Sequence, residues 1–81
     1  MKNHSAAIPL TLLTIGDRAT ILAIDSDDAF RQRLSALGFR LGKQIELIRA
    51  AHFSGPLQIR IGTTDILLRR REAAHITVQK T

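Results

Sequence analysis

The sequence predicts a mainly β domain with one inserted α-helix, built as a small, strongly bent barrel of about five antiparallel strands. Three observations carry this reading. The apolar residues fall into pieces of about five residues joined by tight, glycine-marked connections. One stretch alone, Asp28–Gly38, repeats its apolar residues at helical spacing. At 81 residues, one small core must take up most of the apolar side chains.

Residues 1–7 read as a flexible tail, and residues 8–81 as the single domain. Leu10, Leu12, Leu13 and Ile15 lead to the turn pair Gly16-Asp17. The β-branched run Arg18–Ile24 then reads as the first strand. In "DSDD" (Asp25–Asp28), Ser26 or Asp27 is placed to accept from a free first-turn amide. The acidic cluster also suits the positive end of a helix. Phe30, Leu34 and Leu37 recur at i, i+4 and i+7, which is one helical face. Gly38 stands where a left-handed stop is expected, and Gly42 turns the chain into the next strand. Leu34 and Leu37 are the expected anchors of the helix, with Phe39 as a third.

Gln44–Ala51 reads as a strand whose two faces are not cleanly separated, because Ile45, Leu47 and Ile48 are all apolar. A bulge near Leu47 would account for this. "HFSGP" is a loop. "LQIRI" and "TDILL" flank Gly62-Thr63, and glycine at the first position is the signature of a type II′ hairpin. In that register Ile61 faces Thr64, Arg60 faces Asp65, Ile59 faces Ile66 and Leu57 faces Leu68. Apolar pairs then share one face, and opposite charges meet on the other. Leu67 is left on the outer face opposite Gln58. Arg71–Ala74 suits one helical turn, and Ile76–Val78 a closing strand. A barrel of this length is SH3-like.

The chemistry-bearing residues are sparse. There is no cysteine, so neither a disulfide framework nor a thiolate metal site is available. His4, His52 and His75 form no HxH or HxxxH pair. Asp25, Asp27 and Asp28 are better placed for capping than for a metal. No GxSxG elbow or phosphate-cradling glycine loop occurs. The reading is a non-enzyme with no catalytic residues, no cofactor and no metal site. Pro9, Thr11, Thr14 and Asp17 interrupt the N-terminal apolar residues, which makes a poor secretory signal. No window approaches the roughly 18 apolar residues of a membrane span. A soluble, intracellular protein is expected.

The charge is uneven. From Arg31 to Arg71, eight arginines and one lysine stand against Glu46 and Asp65, a local charge of +7 in a chain of net +5. A basic middle suits nucleic acid, an anionic membrane surface or an acidic patch on a protein. With no Trp or Tyr, both single-strand stacking and polyproline binding lose weight. Arg31 and Arg33 diverge by about 200° on the helix. They also leave the apolar stripe, so the core gives no reason for them. The candidate partner-binding residues are Arg31, Arg33, Leu37, Phe39 and Arg40, with Arg69, Arg70 and Arg71.

"LTIGDRATI", "RQRLSALGFRLGKQIELI" and "PLQIRIGTTDILLRRREAAHITV" together resemble the FeoA family of bacterial ferrous iron transport. The carrying residues are Leu13 and Gly16; Arg31, Arg33, Leu34, Leu37, Gly38 and Gly42; Pro56–Ile61 with Gly62; and Arg69, Arg70, Glu72, Ala73, Ile76 and Val78. They run in order from Leu10 to Val78. "SGP" departs from the pattern, where an acidic residue often precedes the proline. The resemblance implies an SH3-like barrel. It also implies a cytoplasmic accessory module, held at the inner face of the membrane by a FeoB-type GTPase that imports Fe²⁺. Two alternatives come from other classes. One is a basic module on nucleic acid, with steeply salt-dependent affinity. The other is peptide binding or self-association through an exposed strand edge, such as the outer face of the hairpin bearing Leu67, with a homo-oligomer as one form of it.

Overall fold

The computed structural model describes residues 6–81. The elements run β1 (Ala7–Pro9), a 3₁₀ turn (Leu10–Leu12), β2 (Arg18–Ile24), α1 (Asp28–Ala36), β3 (Gln44–Ala50), β4 (Leu57–Ile61), β5 (Thr64–Leu68), α2 (Arg70–Ala73) and β6 (Ile76–Lys80). All strand pairs are antiparallel, in the order β1-β6-β2-β3-β4-β5. Every expected strand is present, and β6 runs two residues further than expected. β1 is an addition. Ala7, assigned by sequence to the tail, pairs with Gln79 and starts this strand. Ala6, also assigned to the tail, is exposed and precedes the strand; residues 1–5 of the expected tail lie outside the described residues.

Strand alternation supplies the core. β2 buries Ala19 and Ile21, β3 Ile45 and Leu47, β4 Leu57, Ile59 and Ile61, β5 Ile66 and Leu68, and β6 Ile76 and Val78. These are period-2 positions on one face of the sheet. A single short helix cannot cover six strands, so the face is buried by curling. Two bulges provide the bend. One lies between Leu47 and Arg49 on β3, at the expected place, and the other between Ile21 and Ala23 on β2.

The β4–β5 hairpin has the expected register, from Ile61 opposite Thr64 to Leu57 opposite Leu68. Gly62 has φ +61° and Thr63 stays out of the left-handed region, as type II′ requires. The Arg60 guanidinium grips Asp65 as a fork, Nε to Oδ1 at 2.7 Å and Nη2 to Oδ2 at 3.0 Å. Gln58 Nε2 adds a third bond to Oδ2 at 2.9 Å.

Helix α1 starts and stops as its sequence dictates. The Asp27 carboxylate accepts from the Phe30 amide at 2.8 Å. At the other end Gly38 has φ +89°. The Gly38 amide donates to the Ser35 carbonyl at 2.9 Å and the Phe39 amide to the Leu34 carbonyl at 2.9 Å, which is a Schellman stop. Phe39, just past the stop, and Leu34, three residues before its end, are both fully buried. A Cβ on Gly38 would meet no atom within 4 Å, so its cost is backbone strain alone. Gly38→Ala is therefore expected to lower stability by about 1–2 kcal/mol, read as a lower denaturation midpoint at unchanged slope. Gly42, at φ +85°, donates its amide to the Ile21 carbonyl at 2.7 Å and so ties the post-helix turn to β2.

Candidate partner-binding surface

The Schellman stop decides which side chains near the end of α1 face water. Leu37, at the C-cap, has left helical geometry (φ −92°, ψ 3°) and is 43% exposed. Phe39 is 0% exposed. Of the three expected anchors, Leu34 and Phe39 hold the helix to the barrel, whereas Leu37 leaves much of its surface in water. Phe39 is corrected from partner contact to core, because no partner reaches a side chain without accessible surface.

The arginines fall into separate environments. Arg33 has a structural role. Its Nη2 lies 3.0 Å from Glu72 Oε2, and its guanidinium carbon is 5.1 Å from the centre of the Phe30 ring. It joins α1 to α2 through an ion pair and a cation–π contact. Among the described residues Arg31 has only a loose 3.9 Å approach to Asp28, a geometry that contributes little in water. Arg40 Nε donates to the Ser35 carbonyl at 3.4 Å, a long cap on the helix end. Arg70 is half-buried and donates from Nη2 to the Ala51 carbonyl at 3.4 Å, while its buried Nε has no partner among the described residues. Arg69 and Arg71 are exposed. Arg71 lines a shallow hollow with Asp27, Phe30 and His75.

Glu72 organises the start of α2. Its Oε1 accepts the Arg69 amide at 2.9 Å while Oε2 holds Arg33. Burial pushes its carboxyl up, but the Arg69 amide and the Arg33 guanidinium together outweigh this and hold it below the usual range. Asp65 is lowered by its bonds to Arg60 and Gln58. Asp17 is lowered by the Thr14 amide and hydroxyl, with a contribution from Lys80. All three folded values lie below the unfolded ones. Their stabilisation is therefore in place above the unfolded carboxylate range and is lost as pH falls through the lowered values. Stability is expected to decline below about pH 4, and Asp65→Asn to make that decline shallower in denaturation curves taken across pH.

Around the exposed end of α1 the surface is apolar with basic rims. A groove of about 450 Å³ runs between α1 and β5, with Leu37, Pro56 and Leu67 along it and Arg33 and Arg69 at its margin. Leu37 also borders a second hollow beside the hairpin turn, with Arg40 and Lys43. A third is lined by Ile24 and Leu41 together with Arg31 and Arg40. Leu41 and Leu67 are 61% and 68% exposed. Leu37, Leu67, Arg40 and Arg69 thus belong to one face, with Arg31 at its margin, whereas Arg70 and Arg71 serve other neighbourhoods. Sequence reasoning placed Lys43 in the turn after the helix without making it a candidate, and passed over Leu41. The signal for Leu41 was an apolar residue between Arg40 and Gly42, in a turn where no periodicity calls for one.

Such a face offers apolar contact and guanidinium donors to a carboxylate-bearing partner. It holds no nucleophile–base pair. Among the described residues no three His, Cys, Asp or Glu side chains gather in a metal-binding group; His4 lies outside the described residues. No described helix is long and apolar enough to cross a membrane.

The chain is similar to known proteins along nearly its whole length. A family model for the FeoA domain matches residues 8–80. Over 70 residues, 86% of this chain, it is 36% identical to the Fe(2+) transport protein A/Fe(2+) transporter FeoB fusion protein of Porphyromonas gingivalis, and it spans 8% of that relative's length. The solution structure of the FeoA protein from Chlorobium tepidum is 32% identical and superposes with a TM-score of 0.84, over 89% of this chain and 69% of that one. The FeoA of Stenotrophomonas maltophilia, solved in complex with zinc and described as a prokaryotic SH3 domain protein, superposes at 0.76 over 95% and 96% of the two chains. At 24% identity that last likeness concerns the fold, which is SH3-like as the strand count and single main helix predicted. The chain belongs to the FeoA family.

Proposed function

We propose that this protein is a non-catalytic accessory module of ferrous iron uptake, which binds the cytoplasmic part of a FeoB-type membrane GTPase through the face at the end of α1. One observation carries the reading: in the P. gingivalis relative, a segment like this chain and a Fe²⁺ transporter named FeoB are parts of one polypeptide. Two partners that act together are held near each other by fusion, at a high effective concentration. The face built from Leu37, Leu67, Arg40 and Arg69 supports the reading. It has the anatomy of a docking site, with aliphatic anchors inside a basic rim. Its place is the cytoplasm, at the membrane through its partner.

The alternative of a nucleic-acid module has less to stand on than composition suggested. Arg33 and Arg60 are committed to Glu72 and Asp65, and the half-buried Arg70 reaches a carbonyl of the chain itself. The test is capture of the transporter's cytoplasmic part by the purified chain, together with Fe²⁺ uptake by cells lacking the gene. Binding and reduced uptake are expected. Absence of binding with unchanged uptake would contradict the proposal.

A further inference from the structure

The two edges of the sheet are treated differently. β1 is three residues long and carries Pro9, two devices that blunt an edge against pairing. β5 has neither, and among the described residues it pairs with β4 alone. In a two-residue hairpin the pair flanking the turn is hydrogen-bonded, and bonded and non-bonded pairs alternate from there. Ile61–Thr64, Ile59–Ile66 and Leu57–Leu68 are then the bonded pairs, and Arg60–Asp65 and Gln58–Leu67 the non-bonded ones. The main-chain N–H and C=O of Asp65 and Leu67 therefore point to the open side. No other described segment donates to them or accepts from them. On that side lies the groove to α1, with Leu37, Leu67 and Pro56 along it.

We infer that an extended acidic segment of a partner adds to β5 as a further strand. Main-chain bonds to Asp65 and Leu67 would hold it, as in other cases of strand addition. Alternate side chains of such a strand lie over Leu37 and Leu67. A carboxylate reaches the exposed Arg69, which feels the charge of Glu72 but has no carboxylate within 4 Å among the described residues. Arg33 is already neutralised by Glu72. Charge selects this occupant over a second copy of the chain, because each copy carries +5. A polyproline segment fails for a different reason: it lacks the N–H donors that strand addition uses. The inference rests on the α1 face being a partner surface, and it adds the chemistry of the segment that docks there.

The experiment is selection of random nine-residue peptides against the whole chain, followed by amide exchange of the chain with the enriched peptides. Enriched sequences are expected to alternate Asp or Glu with β-branched residues. They should slow exchange at Asp65 and Leu67 while leaving β1 unchanged. Arg69→Glu should weaken them by about tenfold or more. Enrichment of proline-rich or basic sequences, no enrichment, or unchanged exchange at Asp65 and Leu67 would overturn the inference. So would a concentration-dependent dimer that protects the same two amides. If the transporter's cytoplasmic part binds without protecting Asp65 and Leu67, strand addition falls and the transporter reading stands. If the peptides bind and the transporter does not, the reverse holds.

Discussion

Phe39→Ala is expected to cost about 3–5 kcal/mol of stability, the range for emptying a large aromatic site in a core. Phe39 is the largest of the fully buried side chains, and it closes the Schellman stop that fixes the end of α1. A domain of 81 residues has only roughly 4–12 kcal/mol in total. The variant should therefore melt well below the wild type, at about 4–8 °C per kcal/mol lost. Leu37→Ala, two positions away, should cost about 1 kcal/mol or less, since Leu37 keeps nearly half its surface in water. Thermal and urea denaturation of the two variants separate the roles. A Phe39→Ala protein as stable as the wild type would mean that Phe39 is a surface residue after all.

The second large effect is on binding. Leu37→Ser combined with Arg40→Glu should weaken binding of the transporter's cytoplasmic part by about thirtyfold or more, the equivalent of losing about 2 kcal/mol at the centre of an interface. Both side chains are exposed, and the one internal bond lost is the 3.4 Å contact to the Ser35 carbonyl. The fold should survive, with a loss no greater than about 1–2 kcal/mol. The two positions act differently: Leu37 provides apolar area, and Arg40 provides a charge that a glutamate turns against an acidic partner. Titration by calorimetry at two salt concentrations reads both. The apolar loss persists in high salt, and the charge effect shrinks.

Local rules carried most of the fold. The Gly62 hairpin was legible to the residue, because strand alternation, turn chemistry and the Arg60–Asp65 pairing all demand one register. The Asp27 cap, the Gly38 stop and the Leu47–Arg49 bulge were legible for the same reason, since each is decided within a few residues. β1 was not. Three residues with a proline show no periodicity, and the strand exists only by pairing with β6 at the far end of the chain. Of the three anchors expected for α1, Leu34 and Phe39 are buried; Leu37 is not, because the i+7 rule was carried to a position where the helix has already ended. The hydrophobic contact that accompanies a Schellman stop accounts for Phe39. Arg33 looked free because its reason, Glu72, lies 39 residues away. The candidate surface was half legible: Leu37 and Arg40 follow from the helix end, but their meeting with Leu67 and Arg69 depends on how the sheet curls.

The most direct test of the central claim is a residue-by-residue map of contact. The amide spectrum of the isotope-labelled chain would be recorded while the unlabelled cytoplasmic part of a FeoB-type transporter is added. Shifts are expected to concentrate at the end of α1 and the turn after it, from Leu37 to Lys43, and along β5 from Thr64 to Arg69, with β1 and the start of β2 silent. No shifts at saturating partner, or shifts confined to β1 and β6, would contradict the account.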